Sequence, residues 1–216
     1  MVDSRLVPMS EEHLSMVLEW RNKPEVRANM YTSHEIDFEE HREWFKSVSN
    51  DKSKRYFIFE VDSKPCGVIG IVDIDFDGKK ASWAFYSGDT SVRGIGTLME
   101  VAAIDYVFNE LKLEKLYCEV LSFNDSVIKF HRKHGFQIEG VFLKHHFAKG
   151  EFHDVYRLAL FKKQWEKARS EITQRIKGDY SVGKTYLYQF SISKNDIITL
   201  MWQQKIKVVK IIDIIF

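Results

Sequence analysis

Several residue types that would assign a chain to a particular class of protein are scarce in this one. Its 216 residues include only 2 cysteines and 3 prolines. Cys66 and Cys118 each lie in an apolar, strand-like run, and neither has the CxxC or Cys/His spacing of a metal-ligand set. Buried free thiols are therefore favoured over a disulfide framework, and no metal site is predicted.

Net charge and long apolar runs are lacking as well. A formal net charge of +1 provides no general attraction to nucleic acid or to an anionic membrane. No apolar run approaches the roughly 20 residues of a membrane-spanning helix. The segment from Met1 to Leu14 has no basic region followed by an apolar stretch, so no secretory signal is expected. We therefore expect a cytoplasmic protein that binds neither nucleic acid nor membrane.

What is present is an ordinary globular composition, 44% hydrophobic and 29% charged, with helical and strand-like apolar periodicities. The order of elements predicts an α/β (α+β) protein with three layers. Early helices are followed by a three-stranded antiparallel meander over 55–86, a β-α-β crossover and a hairpin over 136–161. The compact domain is predicted to span residues 1–169, and residues 170–216 are predicted to be a C-terminal extension.

The most informative stretch runs from Trp83 to Leu98, where a half-polar strand leads into the loop Arg93-Gly94-Ile95-Gly96 and an amphipathic helix. The first amides of a helix lack intrahelical partners and carry the positive end of its dipole, and glycines let a ligand approach the backbone. This order predicts an anion site, most often for a phosphate or pyrophosphate. The spacing is neither GxGxxG nor a GK[ST] loop, and the loop alone is equally a turn that needs glycine.

A second motif lies downstream, in the segment from Asn124 to Phe136. Asn124 opens it, His131 follows seven residues later, and Gly135-Phe136 closes it. With these offsets the segment resembles the second signature of GCN5-related N-acetyltransferases, and the glycine loop resembles the pyrophosphate loop of that family. The resemblance covers roughly residues 3–165. It implies a mixed, mostly antiparallel central sheet of about seven strands flanked by helices, with a short C-terminal appendage.

The resemblance also implies acetyl-CoA as co-substrate and no metal. The implied cofactor-binding residues are Phe85, Arg93, Gly94, Ile95, Gly96, Thr97, Asn124 and Ser126. Ser91 stands where the family usually carries Gln or Arg, so Arg93 is expected to supply the positive charge. A backbone amide near Phe85 and Tyr86, in a splayed strand, is expected to polarise the thioester carbonyl.

The family's usual catalytic tyrosine is replaced by His131. An imidazolium is an acid near neutral pH, so His131 is a candidate proton donor to the leaving thiolate. In the alternative, His131 only packs, and Tyr86 or a bound water protonates the thiol. Glu119 is the candidate base through a water, or else it faces solvent or pairs with a lysine. Direct transfer is expected, because nothing near Cys118 in the sequence would activate it as a nucleophile.

Two further segments concern the acceptor. Trp20-Arg21-Asn22 with Val26-Arg27 and Met30 resembles the opening of ribosomal-protein-alanine acetyltransferases and of amino-sugar N-acetyltransferases of the pseudaminic acid pathway. The stretch 140–155 is more similar to the latter, which implies transfer to the 4-amine of a UDP-4-amino-4,6-dideoxy-hexosamine used in flagellin glycosylation. The candidate substrate-binding residues are Arg21, Arg27, His41 and Tyr86. N-terminal acetylation of a ribosomal protein and a non-catalytic acyl-CoA-binding module are the alternatives, and a homodimer is a possibility.

The sequence pattern of the extension over 170–216 differs from that of the rest of the chain. Residues 178–186 and 190–197 resemble the opening strand of MaoC-like hydratases, which have a hot-dog fold. The long helix and catalytic region of such a hydratase are absent from the sequence. The extension is therefore predicted to be a truncated remnant rather than a second working enzyme.

Overall fold

The computed structural model describes residues 3–89, 91–92, 94–176, 198–202 and 205–209. Its strands are β1 (Ser4–Pro8), β2 (Arg55–Val61), β3 (Lys64–Asp75), β4 (Lys80–Ser87), β5 (Lys115–Leu121), β6 (Gln137–Ala148), β7 (Glu151–Phe161), β8 (Ile198–Trp202) and β9 (Lys205–Val209). Its helices are α1 (Leu14–Asn22), α2 (Pro24–Arg27), α3 (Phe38–Ser49), α4 (Ile95–Asp105), α5 (Asp125–Lys133) and α6 (Lys162–Ile176). A 3₁₀ turn precedes α1, and a π-helical turn over Tyr106–Glu110 follows α4.

The central sheet has seven strands in the order β1-β2-β3-β4-β5-β7-β6. Every neighbouring pair is antiparallel except β4 and β5, which run parallel. A parallel pair needs a crossover connection, and α4 provides it. The predicted seven-stranded mixed sheet flanked by helices is therefore confirmed.

The parallel pair is joined over only a short length. β4 and β5 pair from Lys80 opposite Lys115 to Ser82 opposite Tyr117. Beyond that point β4 continues to pair with β3 as far as Ser87, and β5 continues to pair with β7 as far as Leu121. The facing edges of β4 and β5 thus diverge, and the gap between them is here called the fork. Among the described residues, no neighbouring strand hydrogen-bonds the backbone groups on these two edges. The splayed strand predicted near Phe85 is confirmed.

The sheet separates two hydrophobic clusters. The larger lies on the face covered by α4, α5 and α6, and it includes Trp83 from β4, Cys118 from β5 and Trp165 from α6. The smaller cluster lies on the face covered by α1 and α3, where Trp20 and Phe45 pack against the sheet. Because successive strand side chains point to opposite faces, β2 and β3 contribute buried residues to both clusters.

Local sequence signals account for several element boundaries. Asp37 caps α3, since its side chain accepts a hydrogen bond from the Glu40 amide at 2.8 Å, as the capping-box spacing predicts. Ser10 precedes the 3₁₀ turn over Glu11–His13, and its amide donates to His13 Nδ1.

No helix in the described part of the chain is long and apolar enough to cross a membrane. α6 continues to Ile176, and Ile172 is buried against the larger cluster. The segments that resemble a hot-dog strand fall on 177–197, outside the described residues. β8 and β9 pair with each other as an antiparallel hairpin.

Candidate active site

The fork is the natural centre of a site because it opens to both faces of the sheet. On β4, Trp83 and Phe85 point to the α5 face, while Ala84 and Tyr86 line a cavity on the opposite face. On β5, Cys118 points to the α5 face, and Glu119 points away from it. A group placed in the fork therefore meets one set of side chains on each side of the sheet.

The glycine loop lies at the start of α4. Gly94 is the residue before the helix and adopts φ +76°, a left-handed conformation that favours glycine. The Thr97 and Leu98 amides donate hydrogen bonds to the Gly94 carbonyl at 3.0 and 3.2 Å. These bonds close the first helical turn. A Cβ on Gly94 would meet no atom within 4 Å, so the surface beside the loop is open to a ligand. Arg93, the predicted source of positive charge, lies outside the described residues.

Gly96 brings α4 and α5 together. A Cβ at this position would lie 3.4 Å from Phe130 Cζ on α5. Ile95 is buried and Thr97 half-buried, so the loop's side chains anchor the turn while its backbone stays accessible. Asn124 precedes α5, where its carbonyl accepts from the Val127 amide at 3.0 Å. Ser126 donates its hydroxyl proton to Asn124 Oδ1 at 3.2 Å. The roles of these residues in cofactor binding remain predictions.

His131 lies on the α5 face of the fork and is 4% exposed. Its ring packs edge-on against Trp83 and Phe85, with centroid distances of 5.6 and 6.1 Å. Its Nδ1 lies 3.0 Å from Oε1 of Glu100, a fully buried carboxylate on α4. Cys118 on β5 is the second titratable neighbour of the imidazole. Burial opposes the charge on the ring, but the neighbouring Glu100 carboxylate first, and Cys118 next, outweigh burial and raise the pKa of His131 to about 10.

On the opposite face, α1, α3 and the loop between them enclose a cavity of about 340 Å³. Trp44 and Tyr56 form aromatic walls, and Trp44 stacks on His41 with ring centroids 5.1 Å apart. The lining side chains are Arg21, Met30, Thr32, Ile36, Glu40, His41, Trp44, Tyr56, Val68, Val72, Ala84 and Tyr86, with Gly70 at the floor. Three of the four predicted substrate-binding residues, Arg21, His41 and Tyr86, therefore come together here.

The cavity contains polar atoms that are buried and have no partner in the described protein. They are Arg21 Nη1 and His41 Nε2. Arg21 Nη2 donates to the Thr32 carbonyl at 2.8 Å, which fixes the guanidinium. Burial lowers the pKa of His41, and the nearby Arg21 charge lowers it further, while a hydrogen bond to the Leu14 carbonyl opposes both. Burial raises the pKa of Tyr86, so its phenol keeps its proton.

Arg27, the fourth predicted residue, does not line the cavity. Its Nη1 lies 3.8 Å from Glu35 Oε2, and its buried Nε has no partner in the described part of the chain. Arg27 is close enough to depress the pKa of Arg21 through charge repulsion, although burial is the larger cause of that depression. It adds positive charge beside the cavity rather than a lining contact.

Glu119, the predicted base, is exposed and lies on the face of β5 opposite α5, the face that carries the cavity. Its Oε2 accepts from the Tyr31 hydroxyl at 3.0 Å, and its Oε1 lies 3.5 Å from Arg157 Nη1. The pKa of Tyr31 is raised, by burial first and by the Glu119 carboxylate next. Glu119 thus has an arginine partner rather than the lysine considered from the sequence, and it remains open to water.

Sequence reasoning missed two features of the site. It did not identify Glu100, whose only signal was an acidic residue among apolar neighbours on α4. It also left Cys118 without an activating group, whereas the fold brings His131 close to it across 12 intervening residues of strand, loop and helix. No cluster of three or more His, Cys, Asp or Glu side chains suited to a metal ion occurs among the described residues.

Comparisons with known proteins agree with this geometry. A model of the acetyltransferase (GNAT) domain matches residues 4–137. The chain is 30% identical over 130 residues to acetyltransferase PseH of Campylobacter jejuni subsp. jejuni serotype O:23/36 (strain 81-176), covering 60% of this chain and 80% of that protein. It is 28% identical over 162 residues to spermidine N(1)-acetyltransferase of Escherichia coli (strain K12), covering 74% of this chain and 87% of that protein.

Among solved structures, the chain is similar to spermidine N-acetyltransferase from Vibrio cholerae in complex with CoA and spermine. The TM-score is 0.71 at 20% identity, covering 76% of this chain and 98% of that one. At this identity the likeness bears on the fold alone. The family model covers more than half of the sequence, and the fork, the glycine loop and the α5 motif fall within it. The chain belongs to the GNAT family of N-acetyltransferases.

Proposed function

We propose that this N-acetyltransferase transfers acetyl to the 4-amino group of a UDP-linked 4-amino-4,6-dideoxy amino sugar, a step of pseudaminic acid biosynthesis for flagellin glycosylation. The observation that carries the proposal is the chemistry of the acceptor cavity. Arg21 presents a buried, unpartnered N–H to it, and Arg27 adds positive charge nearby. Such donors suit a diphosphate, and the Trp44 and Tyr56 walls suit a base or sugar ring.

A polyamine is the second candidate acceptor, because of the likeness to spermidine N(1)-acetyltransferase. A polycation requires carboxylates in its pocket. Glu40 lines the cavity, but it is already paired with His34 Nε2 at 3.0 Å. The Arg21 guanidinium would repel an ammonium group in the same space. The charge of the cavity therefore favours the nucleotide sugar.

GNAT acetyltransferases use acetyl-CoA, and the features of the α5 face fit that co-substrate. The open loop at Gly94 suits its pyrophosphate, and the unpaired edge of β4 offers backbone donors and acceptors to its extended arm. Bound acetyl-CoA supplies the activated acetyl group. Gly94, Ile95, Gly96 and Thr97 would hold the phosphates, and Asn124 and Ser126 would lie beside the arm.

The described residues then divide the proton transfers between the two faces of the sheet. Glu119, on the acceptor face, takes a proton from the amine through a water. His131, on the α5 face, gives a proton to the departing thiolate, and the backbone near Phe85 and Tyr86 polarises the carbonyl. We propose direct attack by the amine. A cytoplasmic location and a homodimeric state remain predictions from the sequence.

The test is thiol release from acetyl-CoA with three acceptors, namely a UDP-4-amino-4,6-dideoxy-hexosamine, spermidine and an alanine-leading peptide. Arg21→Met is compared with Arg42→Met, a control on the exposed side of α3. Removing a charge-assisted hydrogen bond costs about 1.5–3 kcal/mol, so KM for the sugar should rise about 10- to 150-fold in Arg21→Met only. The KM for acetyl-CoA should not change.

Other outcomes would redirect the proposal. Turnover with spermidine alone would assign a polyamine acceptor, and turnover with the peptide alone would assign the ribosomal branch. Acetyl-CoA binding without turnover on any acceptor would favour a binding module. Direct attack further predicts that mass spectrometry finds no acetyl group on Cys118 after incubation with acetyl-CoA alone.

A further inference from the structure

Glu100 occupies a position where a charge is costly. It lies in the middle of α4, with neighbours Met99 and Val101 in the larger hydrophobic cluster, and it is 0% exposed. An ionised carboxylate in such surroundings requires a partner that compensates for its lost hydration. An apolar residue would fill this place without that cost, so the carboxylate calls for an explanation.

The hydrogen bond of Glu100 goes to the catalytic candidate. Its Oε1 lies 3.0 Å from His131 Nδ1, while its Oε2 has no hydrogen-bond partner in the described part of the chain. His134 Nδ1 is 3.8 Å from that second oxygen and hydrogen-bonds the Phe130 carbonyl at 2.9 Å. The carboxylate is therefore compensated mainly by a proton on His131.

The ring of His131 is held in one orientation. Trp83 and Phe136 pack against it, with centroid distances of 5.6 and 5.4 Å. Because Nδ1 hydrogen-bonds Glu100, Nε2 is the ring nitrogen that remains to face the fork and Cys118. The titratable groups that face the ring are Glu100 from α4 and Cys118 from β5, with His134 on the far oxygen of Glu100.

We infer that Glu100 is a positioning residue for acetyl transfer, because its carboxylate keeps His131 protonated and directs Nε2 toward the fork. The inference rests on the proposed function insofar as His131 is the proton donor to the thiolate. In that step the Nε2–H bond breaks, the S–H bond of CoA forms and the carbon–sulfur bond of the thioester breaks. His131 is left as neutral imidazole beside an unchanged Glu100 carboxylate, and water restores its proton.

This arrangement explains how histidine replaces the tyrosine of other family members. A tyrosine phenol has a pKa of about 10 and keeps its proton below that pH. An ordinary imidazole has a pKa of about 6.5 and loses its proton above it. With Glu100 beside it, the His131 ring has a pKa of about 10 and holds its proton across the neutral range, as the phenol would.

The experiment compares wild type with Glu100→Gln, with Asp105→Asn as control. Asp105 is another buried carboxylate of α4 but contacts α6 instead of the fork. In Glu100→Gln the ring should titrate at or below about 6.5, so at about pH 8 kcat should fall at least about 30-fold. The loss should shrink toward pH 6, and the KM for acetyl-CoA should stay within about twofold. A merely structural carboxylate would lower activity equally at every pH, as expected for the control.

A double variant separates chemistry from folding. His131→Tyr should retain turnover, and adding Glu100→Gln to it should cost less than about threefold, since a phenol needs no carboxylate to keep its proton. An additive loss in the double variant would overturn the inference. NMR of the His131 ring tests it without any acceptor. A wild-type ring that titrates near 6.5 overturns it, whereas a proton retained above pH 8 and lost in Glu100→Gln supports it. Failure to find an acceptor would thus count against the proposed function alone.

Discussion

The attachment of α6 to α4 depends on Asp105, and its removal should destabilise the protein measurably. Asp105 Oδ1 accepts from the buried Trp165 Nε1 at 2.9 Å. Arg169 donates from Nε to Oδ1 at 2.8 Å and from Nη2 to Oδ2 at 2.6 Å. The Arg169 side chain is 34% exposed, so solvent screens part of this ion pair.

The size of the effect follows from these partners. Asp105→Ala leaves the indole N–H of Trp165 without an acceptor, at about 1–3 kcal/mol, and removes a bidentate charged pair as well. We expect a total loss of about 3–5 kcal/mol. Asp105→Asn retains an acceptor for Trp165 and loses only the charge, so about 1–2 kcal/mol is expected. For a chain of this size, each kcal/mol lowers Tm by about 2–4 °C.

Urea unfolding and calorimetry would measure both variants beside Arg169→Met and the Asp105→Ala/Arg169→Met pair. A double-mutant cycle should give a coupling energy of about 1–3 kcal/mol between Asp105 and Arg169. The reasoning is refuted if Asp105→Ala unfolds within 1 kcal/mol of wild type, or if the two substitutions are strictly additive.

Two further predictions concern the glycine loop and pH. Gly94→Val should weaken acetyl-CoA binding at least tenfold in a titration. Gly150→Val is the control, because Gly150 has a similar φ of +86° and equal open space but lies in the β6–β7 turn, so its affinity for acetyl-CoA should not change. Equal affinity in both variants would remove the phosphate assignment. Because the folded-state pKa of His131 is raised to about 10, its contribution to stability is fully present below about pH 6.5 and is lost as pH rises through 10. Urea unfolding should show a loss of about 3 kcal/mol between about pH 7 and pH 9.5 that Glu100→Gln does not share, and parallel curves would contradict it.

Much of the fold could be predicted because its signals are local. The Asp62-Ser63 turn between β2 and β3, with φ of +49° and +64°, is marked by turn-forming residues in the sequence. Asp37 and Glu40 mark the start of α3 in the same way. The offsets of Asn124, His131 and Gly135 identify α5 and its neighbours, so the family and the sheet followed from short stretches of chain.

The chemistry around His131 could not be predicted in the same way. An acidic residue in a helix is normally assigned to its solvent face. α4 has no such face beyond its first turn, since every residue from Leu98 to Asp105 is buried. The partners of His131 come from β5 and α4, and no periodicity within α5 specifies which residues of those elements meet it. The cavity beside α1 and α3 was predicted in part, because Arg21, His41 and Tyr86 were identified from the sequence but Tyr56 was not.

The separation of the two hydrophobic clusters by the sheet has an evolutionary consequence. Residues of α1 and α3 pack in the smaller cluster, with Trp20 and Phe45 among them, whereas the glycine loop is anchored in the larger one through Ile95 and Leu98. A substitution that reshapes the smaller cluster leaves the packing around the loop intact. Under the proposed function, selection can therefore alter the acceptor while the acetyl donor stays the same, because the two would bind on opposite sides of one shared sheet.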